Sequence, residues 1–169
     1  MSISIEEAVR IQIHKIASVF STSVTEKKDG TAFGFFAPLG LCLIGYTEWY
    51  VDDGSFDLRW RVFLGEVTPS LDPYSILKEN HRLPDTPFGI VLLNQRLVLT
   101  MTDNYRFLVS WGPERIQRVM DLRFGCGAFA YEFIVPGIEP LSEQFFQQAL
   151  QNYGFDALLS RATVQGWKK

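Results

Sequence analysis

The sequence predicts an α+β fold, an antiparallel sheet with helices packed on it, in the order α-βββ-α-ββ(β)-α with further helices at the C-terminus. Three observations lead there. Residues 56–62 alternate strictly, with Phe56, Leu58, Trp60 and Val62 on one side and Asp57, Arg59 and Arg61 on the other, the period of an antiparallel strand with one wet face. Segments with helical spacing and capping residues stand at the start, middle and end of the chain. Strand-like runs come in blocks between them instead of alternating one for one with helices, which argues against a doubly wound parallel sheet.

The first helix begins after Ser4, a capping residue, with Glu6 and Glu7 at the positive end of the helix dipole. Ile5, Ala8, Val9, Ile16, Ala17 and Phe20 form its apolar stripe. Residues 21–30, "STSVTEKKDG", read as a polar connection ending in an Asp-Gly turn. Three strands follow: "TAFGFFA", "LCLIGYTEWYV" and "FDLRWRVFLGEV", the last two joined at Asp52-Asp53-Gly54, residues that suit a hairpin turn. A second helix starts at Asp72-Pro73, because Asp caps and Pro has no N–H to lose in the first turn, and Leu83-Pro84 closes it.

"TPFGIVLLN" and "RLVLTMTD" then form a strand pair hinged on Asn94-Gln95, and "NYRFLVSW" is either a third strand or a bent continuation of the second. Ile116, Met120, Phe124, Gly127, Tyr131 and Val135 recur at steps of three or four, so residues 113–135 read as one long helix that Pro136-Gly137 ends. Its two glycines each cost about 1 kcal/mol against Ala, and small residues there let another backbone come close. Ser142 caps a further helix, Gly154 terminates it, and a shorter helix runs through Leu158 and Leu159. The chain is a single domain by length, with residues 1–140 as the α+β body. Residues 141–169 form a helical appendix packed on it, joined across "VPGIEPL".

Composition narrows the function classes. Of 169 residues, 47% are apolar and 21% charged, the balance of a globular chain able to bury a core without disulfides or metal. The net charge is −3, and Lys27-Lys28 and Lys168-Lys169 are its densest basic spots, too sparse to neutralise a phosphate backbone. Nucleic acid is therefore not an expected partner. The opening residues lack a basic segment followed by a long apolar run, and no apolar stretch is long enough to span a bilayer, so membrane insertion is not expected. Cys42 and Cys126, each in apolar surroundings, fit a reducing compartment, and the expected location is cytoplasmic.

Chemistry-bearing motifs are few. "GCGAFA", Gly125 to Ala130, has the G-x-G-x-x-A spacing of a dinucleotide fingerprint, but helical sequence precedes it where a strand is needed. His14 lies opposite Ile5 on the helical wheel and reads as solvated, whereas His81 complements the carbonyl end of the second helix. Two histidines with no closely spaced cysteine pair do not make a zinc site. Cys42 or Cys126 could meet His81 in space, yet desolvation disfavours a thiolate among Leu41, Leu43 and Ile44. Ser110 lacks the glycine of a nucleophile elbow. The carboxylates Glu48, Asp52, Asp53 and Asp57 fall at strand ends and turns. Trp49, Tyr50, Trp60, Phe33, Phe35 and Phe36 are core candidates, some of which an incompletely covered sheet would expose as an interaction patch.

The stretch "ILKENHRLPDTPFGIVLLNQRLVLTMT" resembles the helix–strand–strand joint of the class I type III secretion chaperones and of the YbjN-like family, through Leu77, Asn80, Phe88-Gly89 and Arg96-Leu97-Val98-Leu99. Element order matches over residues 5–135; the helices after residue 141 fall outside that pattern. The resemblance implies helices on an antiparallel sheet, a homodimer, and binding of other polypeptides without catalysis. The expectation is thus a non-enzymatic adaptor or chaperone-like protein, with no catalytic, cofactor or metal residue assigned, that docks a protein partner on its sheet edge or an exposed apolar patch. The alternative is a small-molecule-binding domain with a pocket between the sheet and helix 113–135.

Overall fold

The computed structural model describes residues 3–20, 22–37, 40–82, 88–132 and 137–161. Helix α1 spans Ile5–Val19, and the Ser4 side chain accepts a hydrogen bond from the Glu7 N–H at 3.1 Å, the expected cap. Strands β1 (Thr25–Glu26), β2 (Ala32–Ala37), β3 (Leu41–Tyr50) and β4 (Ser55–Val67) follow. Next come α2 (Pro73–Arg82), β5 (Phe88–Leu93), β6 (Arg96–Leu108) and α3 (Pro113–Glu132). The two-residue β7 (Ile138–Glu139), α4 (Glu143–Asp156) and a π-helical turn (Ala157–Arg161) complete the described chain.

The strands make one antiparallel sheet in the order β1-β2-β3-β4-β6-β5, with β7 pairing the end of β4. The expected α+β class is the one observed. β4 lies at the centre because it is long enough to pair with β3 through residues 55–63 on one side and with β6 through residues 55–66 on the other. A bulge between Phe63 and Gly65 shifts the register there, and Gly65 sits where a Cβ would come within 2.6 Å of the Glu139 carbonyl oxygen. β6 runs unbroken to Leu108, so "NYRFL" continues that strand and only Val109–Trp111 turns away as a 3-10 segment.

The sheet separates two cores. On one face Phe33, Phe35, Leu58, Trp60 and Met101 pack with Val9 and Ile13 of α1, Ile76 of α2, and Ile116 and Met120 of α3. Close approach of β2 and β3 depends on Gly45, because a Cβ there would lie 2.1 Å from the Phe33 ring, which occupies that space. Two polar contacts pin α1 to α3: Gln12 donates to the Asp121 carboxylate, and Gln117 donates to the Ala8 carbonyl at 3.0 Å. On the opposite face Cys42, Ile44, Phe63, Val91 and Leu93 pack with Phe145, Phe146 and Ala149 of α4 and with Leu158.

One expectation is corrected on this face. The polar side of β4 is not wet: Asp57 and Arg61 are 4% and 2% exposed, and only Arg59 on that side is open to solvent. The causes differ: the turn after α4 covers Arg61, whose Nη1 donates to the Leu158 carbonyl at 2.9 Å, while the side chains of Arg106, Tyr50 and Arg59 close over Asp57. Leu141, Phe145, Phe146 and Ala149 of the α4 region and Leu158 of the turn after it supply one side of that core. Within the joining stretch, Ile138 and Glu139 pair with Val67 and Glu66. Within the polar connection 21–30, Thr25 and Glu26 form the short β1. Gly154 leaves helical geometry (φ 76°, ψ 168°), the expected interruption, and the chain re-enters a helical turn after it.

Candidate functional site: a strand edge and its hairpin

Asn94 and Gln95 both have positive φ, 48° and 64°, the geometry of a two-residue type I′ turn that joins β5 to β6. In such a hairpin the closing pair, Leu93 and Arg96, is the hydrogen-bonded one, and pairs alternate along the ladder. Leu93, Val91 and Gly89 therefore bond to β6. Ile90 and Leu92 turn their N–H and C=O groups to the outer side of β5, the last strand of the sheet order. Leu92 lies directly opposite Leu97, and these two side chains are 43% and 50% exposed.

The other side of the hairpin is anchored. The Asn94 N–H donates to the Tyr153 hydroxyl at 3.2 Å, and Asn152 Nδ2 donates to Asn94 Oδ1 at 3.1 Å. Arg96 reaches Glu66 at 3.5 Å and lies 5.8 Å over the Phe145 ring. Helix α4 thus holds the turn, while Val91, Leu93 and Val98 are buried beneath it. The result is a pre-positioned edge with one exposed apolar cross-strand pair.

The two outer strands differ in kind. β1 at the opposite end has two residues, and its Glu26 is engaged by Arg10 at 3.1 Å and by His14 at 3.1 Å. The Arg10 hydrogen bond holds the Glu26 carboxyl below its ordinary range. Short length and charge are the usual protections of a strand edge. Phe88–Leu93 has neither: it is six residues long with no charged residue and no proline.

A polar network occupies the part of the α4-side face that α4 leaves open. Arg106 grips Asp57 with both nitrogens, Nε to Oδ1 at 2.7 Å and Nη2 to Oδ2 at 3.1 Å. The Tyr50 hydroxyl donates to Asp57 Oδ2 at 3.3 Å, and Arg106 stacks 4.8 Å over the Tyr50 ring. Glu48 and Asp57 are cross-strand partners whose repulsion Arg59 relieves by reaching both, at 3.4 and 3.7 Å. The Arg106 hydrogen bond keeps the Asp57 carboxyl below the usual carboxylate range despite its burial. An ionised carboxylate already saturated by two guanidinium groups is poorly suited to take or give a proton near neutral pH. Asp52 and Asp53 stand in the exposed 3-10 turn, with Asp53 near enough to act electrostatically on Arg106.

The remaining sequence candidates are scattered. Cys42 is buried on the α4 side, where desolvation raises its pKa well above the ordinary thiol value, while α2, which carries His81, places Ile76 in the other core. The side chains of His81 and Cys126 fall outside the described residues. His14 is exposed, as its place on the wheel implies, and pairs with Glu26. Ser110 sits exposed in the 3-10 segment. Gly125 to Ala130 are internal to α3, with helix on both sides and no strand leading into them, so the turn that a pyrophosphate would occupy is not formed. Among the described residues no group of three or more His, Cys, Asp and Glu side chains is placed to hold a metal ion.

A second apolar group lies at the far end of the sheet, where Val51 is 89% exposed and the Val109 N–H donates to the Gly54 carbonyl at 2.9 Å. It offers no strand edge, and Asp52 and Asp53 border it. A small cavity of about 10 Å³, the room of roughly one water, is lined by Cys42, Phe63, Leu93, Phe145, Phe146, Ala149 and Leu158. It is on the α4 side. Between the sheet and the first half of α3, Ile116 and Met120 are fully buried in the core; the side chains of residues 124–135, on which the expected pocket depends, lie outside the described residues.

Comparison with known proteins finds no match: no family model fits the chain, and no curated protein or solved structure is significantly similar to it. The site must be read from its own residues.

The sequence marked the β5–β6 joint but not which of its leucines are exposed. The register set by the Asn-Gln turn was the available signal, since it makes Leu92 and Leu97 a same-face pair. Arg106 and Arg59 were not singled out, because their link to Asp57 comes from the pairing of β3, β4 and β6.

Proposed function

We propose that this protein is a non-enzymatic adaptor or chaperone-like module that captures an extended segment of another protein as an added strand on β5. The observation that supports this reading best is the outer strand itself: six uncharged residues, held from behind by α4, with Ile90 and Leu92 offering backbone groups outward. Main-chain hydrogen bonds would supply affinity with little sequence demand. Leu92 and Leu97 would select apolar side chains at alternate positions of the incoming strand. The resemblance of residues 76–100 to secretion-chaperone and YbjN-like proteins points the same way. Among the described residues no helix is long and apolar enough to cross a membrane. With Cys42 buried as a thiol, this reading places the protein in a reducing, cytoplasmic setting.

The test is a pull-down from host lysate with the native chain and with the double variant L92E/L97E, followed by hydrogen exchange on the recovered complex. The reading expects a protein captured by the native chain alone and new protection at the Ile90 and Leu92 amides. A captured protein that instead protects the Val51 and Val109 end, or that binds both forms equally, overturns it.

A further inference from the structure

We infer that Asp53 is a site of spontaneous covalent modification, where the backbone nitrogen of Gly54 closes on the side-chain carboxyl and the chain reopens as isoaspartate. The Gly54 nitrogen attacks Cγ of the protonated Asp53 carboxyl. The N–Cγ bond forms, the Cγ–OH bond breaks, and the Gly54 amide proton leaves with that oxygen as water. The product is a five-membered succinimide. Water then adds to one of its carbonyls, restoring aspartate or leaving the main chain routed through Cγ with a free α-carboxylate. Nothing is oxidised or reduced, and water is the only co-reactant.

Asp29-Gly30 and Asp53-Gly54 both have the residues this reaction needs, because a glycine carries no Cβ to shield its nitrogen. The structure separates them. Asp29 Oδ1 accepts from the Thr31 N–H at 2.9 Å and from the Thr31 hydroxyl at 2.6 Å, and Oδ2 lies 3.7 Å from Lys27 Nζ. Those bonds must break before the carboxyl can fold onto its own backbone. The Thr31 hydrogen bonds also hold the Asp29 carboxyl below its ordinary range, which favours the ionised form that has no hydroxyl to release. The Gly30 N–H is itself held by the Lys27 carbonyl at 2.9 Å.

Asp53 has neither restraint. Among the described residues no group bonds to its carboxylate, and Arg106 feels its charge only at longer range. Val51 to Gly54 are all exposed, and their single 3-10 turn is closed by the Gly54 N–H on the Val51 carbonyl at 3.3 Å, beyond the usual hydrogen-bond length. An exposed turn with so few contacts opens readily, and opening it frees the nitrogen that attacks. Gly54 has φ 59°, and a Cβ there would meet nothing within 4 Å, so the backbone has room to turn. Isomerisation adds one backbone atom between β3 and β4, beside the Gly54 carbonyl that accepts the Val109 N–H at 2.9 Å. The modification therefore also loosens the hold on Val109–Trp111.

The test ages the purified full chain for weeks in mildly acidic buffer made with heavy-oxygen water, folded and in urea. Peptide mapping with electron-transfer fragmentation then locates isoaspartate and the incorporated oxygen. Two variants accompany the wild type. Asp53→Glu keeps the charge but needs a six-membered ring, which closes far more slowly, and Thr31→Val removes the hydroxyl bond that restrains Asp29. The expected result is labelled isoaspartate at position 53 accumulating severalfold faster than at 29 in the folded chain. In urea the two rates should converge, because only the fold distinguishes the sites. D53E should show none at 53, T31V should raise the rate at 29 alone, and the Val109 amide should exchange faster in aged wild type than in aged D53E. Equal rates at both positions of the folded chain, isoaspartate at neither, a difference that persists in urea, or an Asp29 rate unmoved by T31V overturns the inference.

Discussion

Replacing Asp57 by Asn tests whether the buried side of β4 is held by ionic contacts. The substitution keeps the volume and removes the charge. Asp57 is 4% exposed and receives two short hydrogen bonds from Arg106, one from Tyr50 and the approach of Arg59. A hydrogen bond to a charged group contributes about 1.5–3 kcal/mol net. Two of them set an upper figure of roughly 3–6 kcal/mol, but two corrections lower it. The guanidinium of Arg106 is about half exposed and regains water when released, and Asn retains one acceptor. The expected loss is about 2 kcal/mol at neutral pH, seen as a fall of roughly 1 M in the urea midpoint for a slope near 2 kcal/mol per M. The pH dependence supplies the control. The folded carboxyl ionises below its unfolded pKa of about 3.9, so its contribution is complete above that value and disappears as pH falls through the folded pKa. Wild type and D57N should therefore converge in stability in strong acid. A difference that is the same at neutral pH and below the folded pKa would refute the ionic account and leave a packing effect.

Gln95→Gly should raise stability by about 0.5–1 kcal/mol in urea unfolding, because Gln95 is exposed and held at φ 64°, where glycine has no steric cost. Gly45→Ala should cost about 3 kcal/mol or prevent folding, since its methyl group meets the Phe33 ring; in a Phe33→Ala background, itself less stable, the same substitution should cost far less if that clash is the cause. Cys42 should resist a thiol reagent in native buffer and react at the rate of global unfolding in urea, and rapid labelling of Cys42 in the native state would show that the α4 core opens.

The local elements were legible because each rests on near neighbours in the chain. Ser4 before Ile5, Asp72 before Pro73, the alternation through β4 and the positive-φ glycine at 154 act within a few residues, and the structure places α1, α2, β4 and the interruption of α4 there. The two-residue strands β1 and β7 were not legible. Their stability comes from pairing with β2 and β4, and a two-residue run carries no period. The candidate site was legible in part, since the uncharged run at 88–93 is a property of sequence, while its place at the rim of the sheet is a property of strand order.

Burial of Asp57 and Arg61 shows where local pattern stops deciding. Period two assigns them to one face of β4, but whether they meet water depends on distant residues, Leu158 for Arg61 and Arg106 for Asp57. The sequence by itself determined the α+β class, the helix starts and the side of each strand on which a residue stands. Only the tertiary structure decided that α4 closes a second core, that Arg106 and Arg59 converge on Asp57, and that β5 ends the sheet. The physical reason is range: caps, turns and periodicity are settled by contacts between neighbours, whereas layer order and exposure depend on which distant surfaces meet.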